Sequence, residues 1–103
     1  MSFWNLDTLE LEKFRPGIMS RAKIGDNLVM VCMQIGSKEE DKGHTHSFDQ
    51  CGIVIEGQIE MFVNQERRLL NTNECYFIPS GERQGWKTFD KPVKLLDISP
   101  KQP

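Results

Sequence analysis

The 103 residues carry 15 acidic and 13 basic side chains, a net charge of −2, with 38% hydrophobic and 27% charged residues. That balance excludes the strongly basic profile of a general nucleic-acid binder. The longest purely apolar run, Leu28 to Met33, is far too short to cross a bilayer. The length predicts one domain over 1–103, with a barrel core at about 14–100 and an N-terminal arm at 1–13.

In chain order, the acidic opening MSFWNLDTLELEKF has no basic run ahead of an apolar one and does not read as a secretory leader. Asn5 or Asp7 is placed to cap a short helix over 5–12, although Leu and Glu alternate there nearer to a strand period. IMSRAKI (18–24) reads as a strand ending at Gly25-Asp26, and NLVMVCMQI (27–35) as a strand apolar on both faces. The charged run SKEEDKG (37–43) is expected to be a solvated loop. HTHSF and QCGIVIEG follow, then QIEMFVN (58–64), a hairpin turn at Asn64-Gln65-Glu66, and RRLLN (67–71). ECYFI (74–78) is broken by Pro79-Ser80-Gly81, and QGWKTF (84–89) and VKLLDIS (93–99) complete eight or nine strands. Strands at this spacing, with turns between, predict an all-β sandwich or barrel.

Met30, Met33 and Met61 are expected in the core, Arg67 and Arg68 on the surface, and Gly52 and Gly57 at a bend and a turn. Cys32, Cys51 and Cys75 are widely spaced with no CxxC and sit among apolar residues. They predict reduced, buried thiols in a cytoplasmic protein.

The chain's two histidines, His44 and His46, stand two residues apart. On a strand that spacing puts both imidazoles on one face, where each can give a nitrogen to a single metal ion. Gln50 continues the parity and adds an amide oxygen, whereas alternation turns Asp49 the other way.

A second stretch, IPSGERQGW (78–86), supplies a Pro-x-Gly turn followed by Gln84. Together the two stretches resemble the motifs of the cupin family: Gly43, His44, His46, Gln50 and Gly57 match the first, and Pro79 and Gly81 match the second. Asn73 stands where the second motif begins with Gly, and Gln84 stands where it ends with His. The resemblance implies a single-domain cupin jelly-roll β-barrel, with His44, His46, Gln50 and Gln84 around a divalent metal: Zn, Ni, Mn or Fe. Within the cupins, the His-x-His-x-x-x-Gln spacing, the strand KLLDISP (94–100) and the approach RPGIMSRAKIGDNLVMV (15–31) are similar to the KdgF-like pectin-degradation group. That likeness implies conversion of unsaturated uronates to linear keto acids, with Asp97 as catalytic acid or base.

Four neutral donors leave a bound cation its full charge, which favours an anionic ligand and polarises a carbonyl; amide oxygens hold transition metals less tightly than imidazole. Asp97 shares a face with Val93 and Leu95, so burial is expected to raise its pKa. Trp86 has the parity of Gln84 and could floor a sugar-binding pocket, and Arg83 is a candidate partner for a substrate carboxylate. Three functions stay open: an enzyme opening or isomerising a small sugar acid, a non-catalytic binding module with a degenerate metal site, and a metal-dependent dioxygenase. The last needs a carboxylate such as Asp49 to join the two histidines. The expected partner is a small anionic sugar acid, with no nucleic acid and no membrane. The doubly apolar strand at 27–35 points to a homodimer.

Overall fold

Alternation along each strand decides which side chains this chain buries. Val93, Leu95 and Asp97 point inward from one strand, while Lys94, Leu96 and Ile98 between them point out. The computed structural model describes residues 2–102, and among these there are ten strands and no helix. They are β1 (Glu12–Arg15), β2 (Ile18–Ile24), β3 (Leu28–Ile35), β4 (Glu40–His44) and β5 (Gln50–Glu56). There follow β6 (Ile59–Val63), β7 (Glu66–Leu70), β8 (Cys75–Ile78), β9 (Gln84–Lys87) and β10 (Val93–Pro100).

The strands form two antiparallel sheets, a six-stranded one in the order β1-β2-β3-β10-β5-β8 and a four-stranded one in the order β4-β9-β6-β7. Sequence neighbours β3 and β4 lie in different sheets, and the last strand is inserted between β3 and β5. This is the all-β architecture that the strand spacing predicted, in the jelly-roll arrangement that the cupin resemblance implied. Its core lies between the sheets, with Ile18, Ile35, Val54, Val93 and Leu95 from the larger and Ile59, Met61 and Leu70 from the smaller. Ile35, Val54, Ile59 and Val93 are all but inaccessible to solvent. Each such aliphatic side chain contributes about 1.5–3 kcal/mol through burial.

Several expectations need correction. The helix over 5–12 does not form. Asn5 O accepts from the amides of Thr8 and Leu9, and Asn5 Oδ1 accepts from Asp7 N, which makes a single turn. One turn fixes several dihedrals for few hydrogen bonds, and nothing apolar on a helical face extends it. The Leu–Glu alternation then runs into β1, a strand the sequence reading missed.

The charged run at 37–43 is not wholly a loop, because Glu40 to Gly43 belong to β4. Charge was read there as solvation, yet β4 is an edge strand, where charged side chains are at home. The thiols also divide: Cys32 is buried, Cys51 is half-buried and Cys75 is exposed. Met33 and Met61 join the core as expected, whereas Met30 pairs with Ile98 on the outer face of the larger sheet.

That outer face explains part of the doubly apolar β3. The N-terminal arm is tied across it by Lys94 Nζ donating to Leu6 O at 3.0 Å and Arg21 Nε donating to Glu10 O at 2.7 Å. Cys32, the register partner of Arg21 and Leu96 on the same face, is completely buried.

Candidate functional site

A cavity of about 510 Å³ opens between the two sheets. Two irregularities in the strands shape its walls. In β4, Asp41 pairs with Trp86 and His44 with Gln84, so three steps on β4 match two on β9. The extra residue is a bulge at Lys42-Gly43, and it brings Asp41 and His44 to the same face, which regular alternation would forbid. Gly43 adopts φ 138° there, and the Arg83 guanidinium packs where a Cβ would stand. The positive φ favours glycine at 43, whereas the exposed Arg83 side chain can move aside for a Cβ.

His44 closes β4, and His46 lies just beyond it in the 45–49 loop rather than on the same strand. Their rings nevertheless converge. His44 Nε2 and His46 Nε2 are 3.1 Å apart, with the rings edge-on at a centroid separation of 4.6 Å. The loop is held by Gly81 N donating to His46 O at 2.7 Å and Ser80 N donating to Asp49 Oδ1 at 2.9 Å. Asp49 is thus turned away from the imidazoles, as alternation predicted, and is spent on joining the two motif loops. His46 also stacks on Phe48, centroid to centroid 4.7 Å.

Behind His44, Asp41 Oδ1 accepts from Gly43 N at 2.9 Å, and Asp41 Oδ2 lies 3.0 Å from His44 Nδ1. That separation is an ion-pair distance, but it is off the hydrogen-bond axis, so Nδ1 is a buried nitrogen with no aligned partner. The carboxylate stands where an orienting partner of a ligating histidine belongs. Burial, then the neighbouring His44, holds His46 below its ordinary pKa against the pull of Asp97 and Asp41. A neutral imidazole at neutral pH is the form that binds metal.

The other half of the cavity wall comes from the larger sheet. Asp97, Gly52 and Tyr76 are register partners across the adjacent strands β10, β5 and β8. The tyrosine hydroxyl and the Leu96 carbonyl occupy the space a Cβ at position 52 would need. Gly52 therefore provides a gap rather than the bend expected of it. Through that gap the Tyr76 hydroxyl donates to Asp97 Oδ2 at 2.5 Å, and Gln50 Nε2 donates to the same oxygen at 2.9 Å. Gln84 Nε2 in turn donates to Gln50 Oε1 at 3.1 Å, which links the two sheets. Asp97 is only 8% exposed and its pKa is raised by burial, partly offset by its bonds to Tyr76 and Gln50. Burial and the Asp97 charge together push the Tyr76 hydroxyl far above its ordinary range, so it remains a donor.

His44, His46, Gln50, Gln84, Trp86 and Asp97 all line the one cavity. Arg83 does not: its side chain is exposed and donates to Lys42 O at 3.0 Å. Sequence reasoning missed Tyr76, Asp41 and the pair Phe14 and Arg15, all cavity-lining. Tyr76 has an interior parity within ECYFI that could have been noticed; Asp41 was hidden in a charged run.

The donor set suits a divalent cation in chemistry and arrangement. Two imidazole nitrogens face one another, one of them has an acidic neighbour behind it, and the mutually bonded carboxamides of Gln50 and Gln84 line the same cavity. Among the described residues there is no cluster of three or more His, Cys, Asp or Glu side chains.

Comparison with known proteins agrees with this architecture. The Cupin domain family matches residues 29–99. A pectin degradation protein KdgF from Dickeya dadantii is 30% identical over 79 residues, covering 75% of this chain and 72% of that protein. Among solved structures, KdgF from Halomonas sp. superposes with a TM-score of 0.86 at 21% identity, covering 100% of this chain and 96% of that one. The polyketide cyclase RemF from Streptomyces resistomycificus superposes with a TM-score of 0.82 at 20% identity, covering 99% of this chain and 80% of that one. At such identities the two structures speak for the fold alone, a fold that carries more than one chemistry.

Proposed function

The chain belongs to the cupin family, and from that premise we propose that its cavity binds a divalent metal and opens or isomerises a small unsaturated uronate. The similarity to a pectin degradation protein supports the substrate class. His44, His46, Gln50 and Gln84 would hold the ion, with Asp41 orienting His44; zinc, nickel, manganese and iron all suit such donors. When bound, a metal with only neutral ligands supplies a full positive charge, which polarises a carbonyl or enol oxygen and attracts an anion.

Asp97 carries the proton. Its Oδ2 already accepts from both Gln50 and Tyr76, while no donor reaches Oδ1 among the described residues. That asymmetry is the observation on which the reading rests: it leaves one carboxylate oxygen, on a buried acid of raised pKa, free for substrate. Opening a cyclic unsaturated hemiacetal moves the proton of the anomeric hydroxyl to Asp97 Oδ1 as the ring C–O bond breaks. The enolate so released takes that proton back from Asp97 on carbon and becomes a ketone, so no atom is gained or lost. A general acid–base group in this role contributes about 10²–10⁴-fold in rate. Trp86, half-buried in the wall opposite, offers a flat apolar face to the sugar ring.

The test is turnover of an unsaturated uronate by metal-loaded protein, followed by loss of the ring enol-ether absorbance. Asp97→Asn is expected to lower kcat by at least about 100-fold. No turnover with any of the four metals would sink the enzymatic reading. One observation favours a second reading, a non-catalytic module that binds a small carboxylate: the two amides are engaged with each other as well as facing the cavity. Uronate binding without any turnover is its signature.

A further inference from the structure

We propose that Phe14 and Arg15 form the carboxylate clamp at the cavity mouth, with Arg15 taking the anionic group of the ligand and Phe14 covering its apolar ring face. The inference deepens the uronate reading above and rests on it for the ligand class.

Consecutive residues in a regular strand point to opposite faces. Phe14 and Arg15 nevertheless both line the cavity. The register explains this. Lys13 pairs with Met19 but Arg15 pairs with Ile18, so Phe14 is the extra residue of a bulge in β1. Arg15 therefore shares the inward face of Ile18, a core residue only 4% exposed. The chain turns straight afterwards through Pro16-Gly17, where Gly17 at φ 83° meets the positive-φ demand of the turn. The arginine is carried on a paired strand beside the hairpin turn rather than on a free loop.

Two features of this position have no structural use within the chain. Among the described residues no carboxylate lies within ion-pair distance of Arg15, whereas Arg21 and Arg67 are both paired. Phe14 is 67% exposed, in an edge strand whose four residues are all exposed. A large aromatic beside an unpaired guanidinium, both lining one cavity, matches a ligand with an apolar ring and a carboxylate. The remaining charged walls, Asp41 and Asp97, are acids, and Arg15 is the one permanently cationic side chain lining the cavity among the described residues. Guanidinium meets carboxylate through two parallel hydrogen bonds, a geometry lysine cannot reproduce.

The experiment compares binding of galacturonate and of neutral galactose by titration calorimetry to the zinc-loaded protein and its variants. Arg15→Ala is expected to weaken galacturonate about ten-fold or more, leave galactose unchanged, and keep the metal content and melting temperature of the parent. Arg15→Lys should recover only part of the loss, and Phe14→Ala should weaken both sugars. Arg83→Ala, whose side chain lies outside the cavity, should leave both affinities intact. The clamp is overturned by equal loss of both sugars in Arg15→Ala, by unchanged galacturonate affinity in that variant, or by a parent protein that does not prefer the uronate. Arg15-dependent binding with no turnover ends only the ring-opening reading; turnover with Arg15-independent binding ends only the clamp.

Discussion

Tyr76 reaches over Gly52 to donate its hydroxyl to Asp97 Oδ2, joining three strands of one sheet by a single hydrogen bond. Any side chain at position 52 drives into the phenol and the Leu96 carbonyl. Gly52→Ala is therefore expected to cost about 1–3 kcal/mol, the usual range for overpacking. Because the same contact is at stake, the costs of Gly52→Ala and Tyr76→Phe should be less than additive in a double-mutant cycle read by urea denaturation. Strict additivity would show that the glycine serves something other than this gap.

The buried carboxylate gives stability a definite pH dependence. Burial raises the native pKa of Asp97 above its unfolded value, so the native state holds the proton more tightly. The contribution is favourable at low pH and turns unfavourable as pH rises from about 4 through the native value. In chelator-treated protein, Asp97→Asn should melt higher than the parent at pH 7–8, and the two should converge near pH 3. A gap that stays constant across that range would refute the burial argument.

Metal affinity should follow the roles of the four donors. His44→Ala or His46→Ala should abolish stoichiometric zinc after equilibrium dialysis, measured by plasma mass spectrometry. Asp41→Asn should weaken zinc by about 10–100-fold, as loss of an orienting partner does. Gln84→His should tighten it, because imidazole replaces an amide beside His44, its register partner. Weaker binding by that variant would place the position 84 side chain outside the coordination shell.

Thiol reactivity should separate Cys75 from Cys32. Cys75 is exposed, while Cys32 is buried and its pKa is pushed up by that burial. A disulfide reagent added to native protein should label Cys75 in a fast phase that Cys75→Ser removes. Cys32 should react only after denaturation, because a buried thiol provides little thiolate.

The barrel was legible because most of its strands follow simple alternation between turn residues, and the predicted 18–24 strand matches β2 residue for residue. The inward set Val93, Leu95 and Asp97 could be read from parity alone. What escaped are the places where alternation is broken. The bulge at Lys42-Gly43 puts Asp41 beside His44, and the bulge at Phe14 turns Arg15 inward. A bulge is set by pairing with a partner strand, and no local pattern in SKEEDKG or EKFRP announces it. The convergence of His44 and His46 was anticipated, but through a continuous strand. In fact His46 is aimed by a loop fastened to Ser80 and Gly81, a long-range constraint. Arg83 was expected to meet a substrate carboxylate, but it stands just before β9 and its exposed side chain is bonded to Lys42 O instead.

The 3.1 Å contact between the Gln84 and Gln50 carboxamides has a mechanical consequence. It is a clasp between the two leaves of the sandwich, set in the cavity wall, so filling the cavity and keeping the leaves shut are one equilibrium. Occupancy should then be felt as stiffness: deuterium uptake should slow in concert on β5 and β9, while the remote β7 hairpin continues to breathe at its own rate.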